Sequence, residues 1–362
     1  MSGSRCRFCD RPLERTFVDL GMSPLCESFV PADQIEAMEP FFPLHVRVCE
    51  GCGLVQLPAF VPAEEIFTEY AYFSSYSTSW VEHARRYVED TIARLSLGRG
   101  SFAVELASND GYLLKHFLGT DVRILGIEPA ANVAEAAEAV GVPTLVAFFG
   151  RELAARVVEE HGHADLIAGN NVLAQVPDLN DFVGGVATLL APGGTATFEF
   201  PHLLRLVEGL QYDTIYHEHF SYFSLATTET IMRGHGLEVY DVEELTTHGG
   251  SIRVSVGHGG AHAVTASVET LREQEAPAIA LEGSPFARFA DDVAESKRAL
   301  LELLIELRRQ GAHVAGYGAP GKGNTLLNYC GIRTDFLAYT VDRNPYKHGR
   351  YLPGTHIPIY DT

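Results

Sequence analysis

No segment of this sequence is apolar for long enough to span a bilayer, and its first residues, Met-Ser-Gly-Ser-Arg-Cys, lack the apolar stretch of an export signal. The expectation is a cytoplasmic protein that does not touch membranes. Basic residues are scarce: 27 Lys and Arg face 47 Asp and Glu, a formal net charge of −20. That balance disfavours nucleic acid and anionic lipid as partners and leaves room for a local basic pocket such as a diphosphate needs. Cysteine is sparse too. Four of the six cysteines fall in two Cys-x-x-Cys pairs, which in a cytosolic chain points to a metal and not to disulfides. The remainder is ordinary for a globular protein, 46% hydrophobic and 20% charged over 362 residues, a length that predicts two or three domains.

Cys6-Arg-Phe-Cys9 and Cys49-Glu-Gly-Cys52 read as two halves of one ligand set. Two residues between cysteines let both sulfurs of a knuckle turn toward one ion. Four thiolates close a tetrahedral zinc shell with no open position, so the predicted zinc is structural. Gly51 and Gly53 suit the tight second knuckle. Two stretches between the pairs, Val18-Asp-Leu-Gly21 and Pro43 to Cys49, read as short strands. So small a module needs its metal to fold and is expected to span 1–62. Cys26 and Cys330 read as ordinary small apolar residues.

A second domain is expected over 63–258. Its opening offers Tyr70, Tyr72 and Tyr76 either to a ligand or to the next helix, Trp80 to Leu95. A strand, Ser101 to Leu106, feeds the turn Ala107-Ser108-Asn109-Asp110-Gly111 and a helix from Tyr112 to Phe117. A second strand, Arg123 to Glu128, ends on a carboxylate. This opens a doubly wound α/β domain, in which the turn and a helix N-terminus meet a ligand and the acid accepts ribose hydroxyls. Asn109 and Gly111 take positive φ most readily there. A dinucleotide turn needs G-x-G-x-x-G, and only one of those glycines is present. Glu105 would sit badly beside a pyrophosphate but well beside a sulfonium. The predicted cofactor is therefore S-adenosylmethionine, leaving as S-adenosylhomocysteine. Later strands deliver Asn170, Asn171 and Glu199 to the same sheet edge, with Gln175 close behind.

Shortly after that edge, Tyr216-His217-Glu218-His219-Phe-Ser-Tyr222 gathers two histidines, a glutamate and two tyrosines. Acid–base chemistry is the first reading; a second metal and plain packing remain open, the metal lacking a third ligand at useful spacing. Thr247-His248-Gly-Gly-Ser-Ile-Arg253 either brings His248 and Arg253 to a polar substrate or forms a tight turn with an exposed arginine. Beyond 259 a third, Rossmann-like unit is expected, with a helix from Phe286 to Gln310. Gly316-x-Gly318-x-x-Gly321 fits the dinucleotide fingerprint and Asp342 its ribose acid. Read alone, that unit predicts an NAD-dependent sugar-nucleotide oxidoreductase.

The cysteine pairs, Glu69-Tyr-Ala-Tyr-Phe-Ser-Ser-Tyr-Ser77, Glu105 to Gly111, Gly126-Ile-Glu-Pro-Ala130, Asn170-Asn-Val-Leu-Ala174, Asp213 to Tyr222 and His248 to Arg253 together resemble the three-domain, zinc-containing nucleotide-sugar C-methyltransferases of deoxysugar antibiotic pathways, above all the branch that methylates C3 in tetronitrose biosynthesis. The resemblance implies an α/β fold built from a zinc-binding module, 1–62, a Rossmann-like methyltransferase domain, 63–258, and a Rossmann-like sugar-nucleotide-binding domain, 259–362, with cofactor contacts from Glu105, Ser108, Asn109, Asp110, Gly111, Glu128, Asn170 and Asn171. It implies methylation of C3 on a 4-keto sugar, linked to dTDP more than to GDP, by a monomer. A histidine takes the acidic C3 proton and the enolate takes the methyl group. That base maps to His219, with Tyr216 and Glu218 beside it. Tyr70, Tyr76, Gln175, His217, Tyr222, His248, Arg253 and Asn324 map around the substrate, and Lys322, helped by Lys347, His348 or Arg350, maps to the diphosphate. Methylation at another carbon is the near alternative. The family pattern has a histidine where this sequence has Gln175, which implies a different sugar or substituent. Its C-terminal unit also runs on further than Thr362, so a shortened third unit is expected.

Overall fold

The computed structural model describes residues 4–67 and 73–362; Tyr70 and Tyr72 fall outside them. Behind the first cysteine knuckle run β1 (Arg15–Ser23), β2 (Val30–Pro31), β3 (Phe42–Val48) and β4 (Val55–Gln56). β1 and β3 contain the two stretches expected as strands. They pair antiparallel with Val18 opposite Val46, and alternate burial gives the sheet one apolar face. The helix Pro285–Arg309 covers that face, with Phe17 stacked 4.7 Å from Phe289 and Phe286 beside it. The long helix expected in the third unit thus seals the core of the first.

The middle of the chain supplies β5 (Phe102–Leu106), β6 (Arg123–Glu128), β7 (Thr144–Val146), β8 (Ala164–Asn170) and β9 (Leu190–Pro201), all parallel. Their central strands are apolar along most of their length because helices cover both faces. β10 (Ser221–Tyr222) leaves this sheet and pairs with β4 as the fourth strand of the zinc module. β11 (Leu237–Leu245) and β12 (Ser251–His258) form a hairpin that completes a seven-stranded sheet in the order β11-β12-β9-β8-β5-β6-β7, with only β12 running against the rest. Parallel strands place Leu106, Glu128, Asn170 and Glu199 at one edge, where ligands of such sheets bind.

One expected element differs. The segment after Gly111 is not an α-helix but a 3-10 turn, Leu114–Phe117. Gly111 holds φ at +75°, and one α-turn bond, Lys115 N–H to the Gly111 carbonyl at 3.0 Å, gives way to 3-10 bonds before the chain becomes extended at Leu118. The cofactor turn therefore offers its own N–H groups and not a helix macrodipole.

The last segment carries β13 (Gly316–Tyr317), β14 (Thr340–Val341), β15 (Arg350–Tyr351) and β16 (Ile359–Tyr360). β13, β14 and β16 make a small parallel sheet, while β15 pairs with β2 of the zinc module. A helix, Gly321–Cys330, starts at the glycine loop. A Cβ at Gly321 would come within 2.9 Å of Cys26 Sγ, so first and last modules meet there. Among the described residues no helix is long and apolar enough to cross a membrane.

Candidate active site

The four Sγ atoms of Cys6, Cys9, Cys49 and Cys52 lie within 4.8 Å of one another. Backbone turns aim them: Asp10 N–H donates to the Cys6 carbonyl and Gly53 N–H to that of Cys49, at 2.9 and 2.8 Å. Gln56 Nε2 donates to Cys6 Sγ at 3.2 Å, while Gln56 Oε1 accepts from Arg7 N–H. Four converging sulfurs, two of them buried, fit a closed tetrahedral zinc site. Arg7, inside the knuckle, donates to the Leu57 and Pro177 carbonyls and lies over the Phe220 ring.

At the carboxyl edge of the large sheet a cavity of about 680 Å³ opens, walled by all three modules. On the cofactor side Glu128 Oε2 accepts from Asn109 N–H and Oε1 from Ala130 N–H, both at 2.9 Å. The carboxylate therefore shapes the turn that it borders, and its remaining lone pairs face a ligand. Asn109, Asn170 and Asn171 line the cavity beside it; Glu105, Ser108, Asp110 and Gly111 lie behind that wall. Among the described residues, Ser108 Oγ, Asp110 Oδ1 and Asn171 Oδ1 are buried and find no hydrogen-bond partner. Glu105 and Asn170 both lie close to Tyr112. Burial, with Glu128 nearby, holds the Glu105 carboxyl well above the usual range. Buried groups left in want of partners fit a polar, cationic ligand that supplies them, which S-adenosylmethionine is.

Backbone strain gathers at the same place. Ala107, Asn109, Asn171 and His248 have φ between +49° and +57°, a region costly for residues with a Cβ, and all four line the cavity.

The opposite wall is the Tyr216–Phe220 loop. It is clamped on two sides: Phe220 N–H donates to Ala174 at 2.8 Å, and Leu57 N–H of the zinc module donates to Phe220 at 3.0 Å. Tyr216, Glu218 and His219 line the cavity. His219 Nδ1 lies 3.0 Å from the Thr214 carbonyl. A carbonyl only accepts, so Nδ1 carries the proton and Nε2 keeps its lone pair for the cavity. Burial lowers the His219 pKa to about 4, opposed by the Thr214 bond and helped by nearby Lys322 and His248. The imidazole is neutral at pH 7. Tyr216 packs against it at 4.1 Å between ring centres.

Residues 6–67 match the family described as "Putative zinc binding domain", residues 80–242 the "Methyltransferase domain" family and residues 246–362 the "C-methyltransferase C-terminal domain" family. C-methyltransferase NovU of Streptomyces niveus is 37% identical over 98% of this chain and 85% of its own length. The chain belongs to this C-methyltransferase family. Among solved structures, the magnesium protoporphyrin IX methyltransferase of Synechocystis PCC 6803 with bound SAM covers 56% of the chain and all of its own at 12% identity and a TM-score of 0.41. An S-adenosylmethionine-dependent methyltransferase of Clostridium acetobutylicum covers 50% of the chain and 92% of its own at 13% identity and a TM-score of 0.40. This methyltransferase uses S-adenosylmethionine and carries a structural zinc site.

Several residues read from the sequence as substrate contacts do not line the methyltransferase's cavity. Arg253 faces Glu199 directly across the β12–β9 ladder and bonds it at 2.7 Å, with Glu243 as a second partner; it is a buried internal ion pair and not an exposed arginine. Glu199, at the ligand edge, is itself consumed by Arg253, His83 and Thr247. His217 Nε2 binds the Pro43 carbonyl. Asn324 is buried and donates to the Cys26 carbonyl. Tyr222 is buried in the zinc-module sheet, and Tyr76 is 62% exposed, stacked on Phe73. Gln175, His248 and Lys322 do line the cavity.

Other cavity residues carried no sequence signal. Cys26, read as an ordinary apolar residue, donates to Glu218 Oε1 at 3.5 Å. Trp80 stacks on His83 and meets the His248 ring edge-on at 5.2 Å. His83 does not itself line the cavity; it bonds Glu199 across 116 positions. Asp342, read as a ribose acid, instead accepts from Ala319 and Asn344 N–H, closing its own loop.

The neutral His219 has a consequence for stability. Its folded pKa lies below the unfolded value of about 6.5, so below pH 6.5 only the unfolded chain takes up that proton. The contribution is complete above pH 6.5 and is lost as pH falls toward 4, at about 1.4 kcal/mol per pH unit. Urea denaturation between pH 7.5 and 4.5 is expected to show a shallower loss in His219→Asn than in the native protein; equal slopes would contradict a buried neutral imidazole.

Proposed function

We propose that the enzyme methylates a ring carbon next to the keto group of a nucleotide-linked 4-keto-deoxysugar, C3 on a dTDP-sugar being the first choice. The observation that carries this reading is the His219 imidazole, neutral, tied through Nδ1 to Thr214 and presenting Nε2 to the cavity. A keto group acidifies the neighbouring C–H, and a positioned neutral imidazole is a suitable base. The C–H electron pair moves into the ring as an enolate and the proton goes to Nε2. S-adenosylmethionine, when bound, supplies an electrophilic methyl whose C–S bond pair stays on sulfur. Glu128 is placed for the ribose hydroxyls, Asn170 and Asn171 for the polar end of the cofactor, and Ala147, Phe148 and Phe149 wall the rest. Tyr216 and Glu218 adjoin the base, and Gln175 offers its amide to a sugar substituent. The sugar nucleotide enters from the third module, where Asn344, Tyr346, Lys347 and Arg350 line the mouth. The working division into modules is 1–62, 63–258 and 259–362.

Incubation with a panel of 4-keto nucleotide-sugars and S-adenosylmethionine should give one product heavier by a methylene, with solvent deuterium entering the acidic carbon when cofactor is omitted. Calorimetric binding of NAD but not of S-adenosylmethionine would sink the reading. Asp342, occupied by its own loop, argues against the nicotinamide alternative.

A further inference from the structure

Lys322 sits at the second position of the helix Gly321–Cys330, on the third module. A diphosphate contact is what its place in the glycine loop suggests. Its surroundings point elsewhere. Lys322 is partly buried, its Nζ is 3.4 Å from the His248 carbonyl, and its charge reaches both the His219 and the His248 rings. Asp213, at the start of the loop that carries His219, is the counter-charge that acts on it, opposing the lowering that burial imposes on the Lys322 ammonium. Arg350, by contrast, is exposed at the same cavity. Lys347 is held by the Ala319 carbonyl at 2.8 Å, with Glu27 at 3.9 Å. The cavity thus has separate cations: two toward the β15 side and one among the imidazoles.

We infer that Lys322 is a catalytic residue whose ammonium hydrogen-bonds the enolate oxygen formed when His219 takes the substrate proton. The inference rests on the proposed enolate chemistry. The physical demand for such a group is strong. Burial makes His219 a weak base, and a weak base removes a carbon acid's proton only where the resulting oxyanion is heavily stabilised. Tyr216 packs against His219, and Glu218 lines the same cavity. Glu218 cannot stabilise negative charge while ionised. The Lys322 ammonium can, and the helix start adds the partial positive charge of its first N–H groups. Charge balances through the step: the enolate's negative charge forms against the ammonium as the imidazole becomes cationic. It disappears when carbon takes the methyl group and the C=O bond is restored.

Lys322→Met keeps the stem and removes the charge. Relative to the native enzyme, single-turnover methyl transfer and solvent-deuterium exchange should both fall by about 10²- to 10³-fold, the usual cost of losing one oxyanion donor. Calorimetric affinity for thymidine diphosphate alone should stay the same. Arg350→Ala should weaken thymidine diphosphate binding, which Lys322→Met leaves alone. Weaker diphosphate binding in Lys322→Met with exchange at saturation intact would overturn the inference and return Lys322 to the diphosphate. Absence of exchange in the native enzyme on every keto-sugar that it methylates would instead overturn the enolate chemistry itself. Unchanged rates in a Lys322→Met protein of native thermal stability would also overturn the assignment.

Discussion

Replacing His219 with Asn is expected to slow methyl transfer by about 10³-fold, within the range lost when a positioned general base is removed. Asn keeps an amide that can still donate to the Thr214 carbonyl, so the loop should hold its place. What disappears is the Nε2 lone pair. Solvent-deuterium exchange into the keto-sugar should vanish with it. S-adenosylmethionine binding should survive, because Glu128, Asn109 and Asn170 stand on strand ends of the large sheet and not on the 216–220 loop. The sequence contains one tryptophan, Trp80, and it lines the cavity, so its fluorescence should report cofactor binding in both proteins. Persistent exchange in the variant would pass the role of base to Glu218 or His248.

The second large effect concerns a site away from the chemistry. Cys49→Ser should lose bound zinc, measured as about one ion per native chain by elemental analysis. Apparent zinc-binding energies in small zinc modules, about 10–16 kcal/mol, match or exceed the whole stability of a typical domain. The variant should therefore melt early or in two steps, and methyl transfer should fall by more than about 100-fold. The physical route is short. β4 pairs with β10, Leu57 holds the Phe220 carbonyl, and Arg7 spans from the knuckle to Leu57 and Pro177. Losing the knuckle frees the strand that fixes the base. A zinc-free variant with native melting and native rate would show that the module stands without its metal.

What could be read in advance followed from locality. The cysteine quartet is encoded in two short spacings, and zinc forces them together. The Glu105 to Gly111 turn and the Glu128 terminus lie within one β-turn-β unit, so their positions follow from strand period and a positive-φ turn. Gln175, His219 and Lys322 fell in the same cavity although no period links them; resemblance, not spacing, brought them forward. Arg253 and Asn324 sit in motifs that look reactive, but each is used by a distant partner, Glu199 and Cys26, whose proximity only the fold decides. Cys26 is the converse, plain in sequence and brought to the cavity by a contact across 192 positions. After Gly111 the reason is local: a positive-φ glycine and an extended Leu118 bound a stretch too short for a sustained α-helix.

The pairing of β4 with β10 also governs how the protein comes to be made. On the ribosome the four metal ligands of the zinc module emerge well before its fourth strand. Until Ser221–Tyr222 has been synthesised, the outer side of β4 is an open sheet edge, able to pair with any extended chain nearby. Closure of that edge and placement of the base are one event, at the end of a long loop whose ends meet slowly. Molecules that fail it hold metal, and with their sheet edge still open they are candidates for disposal and not for catalysis.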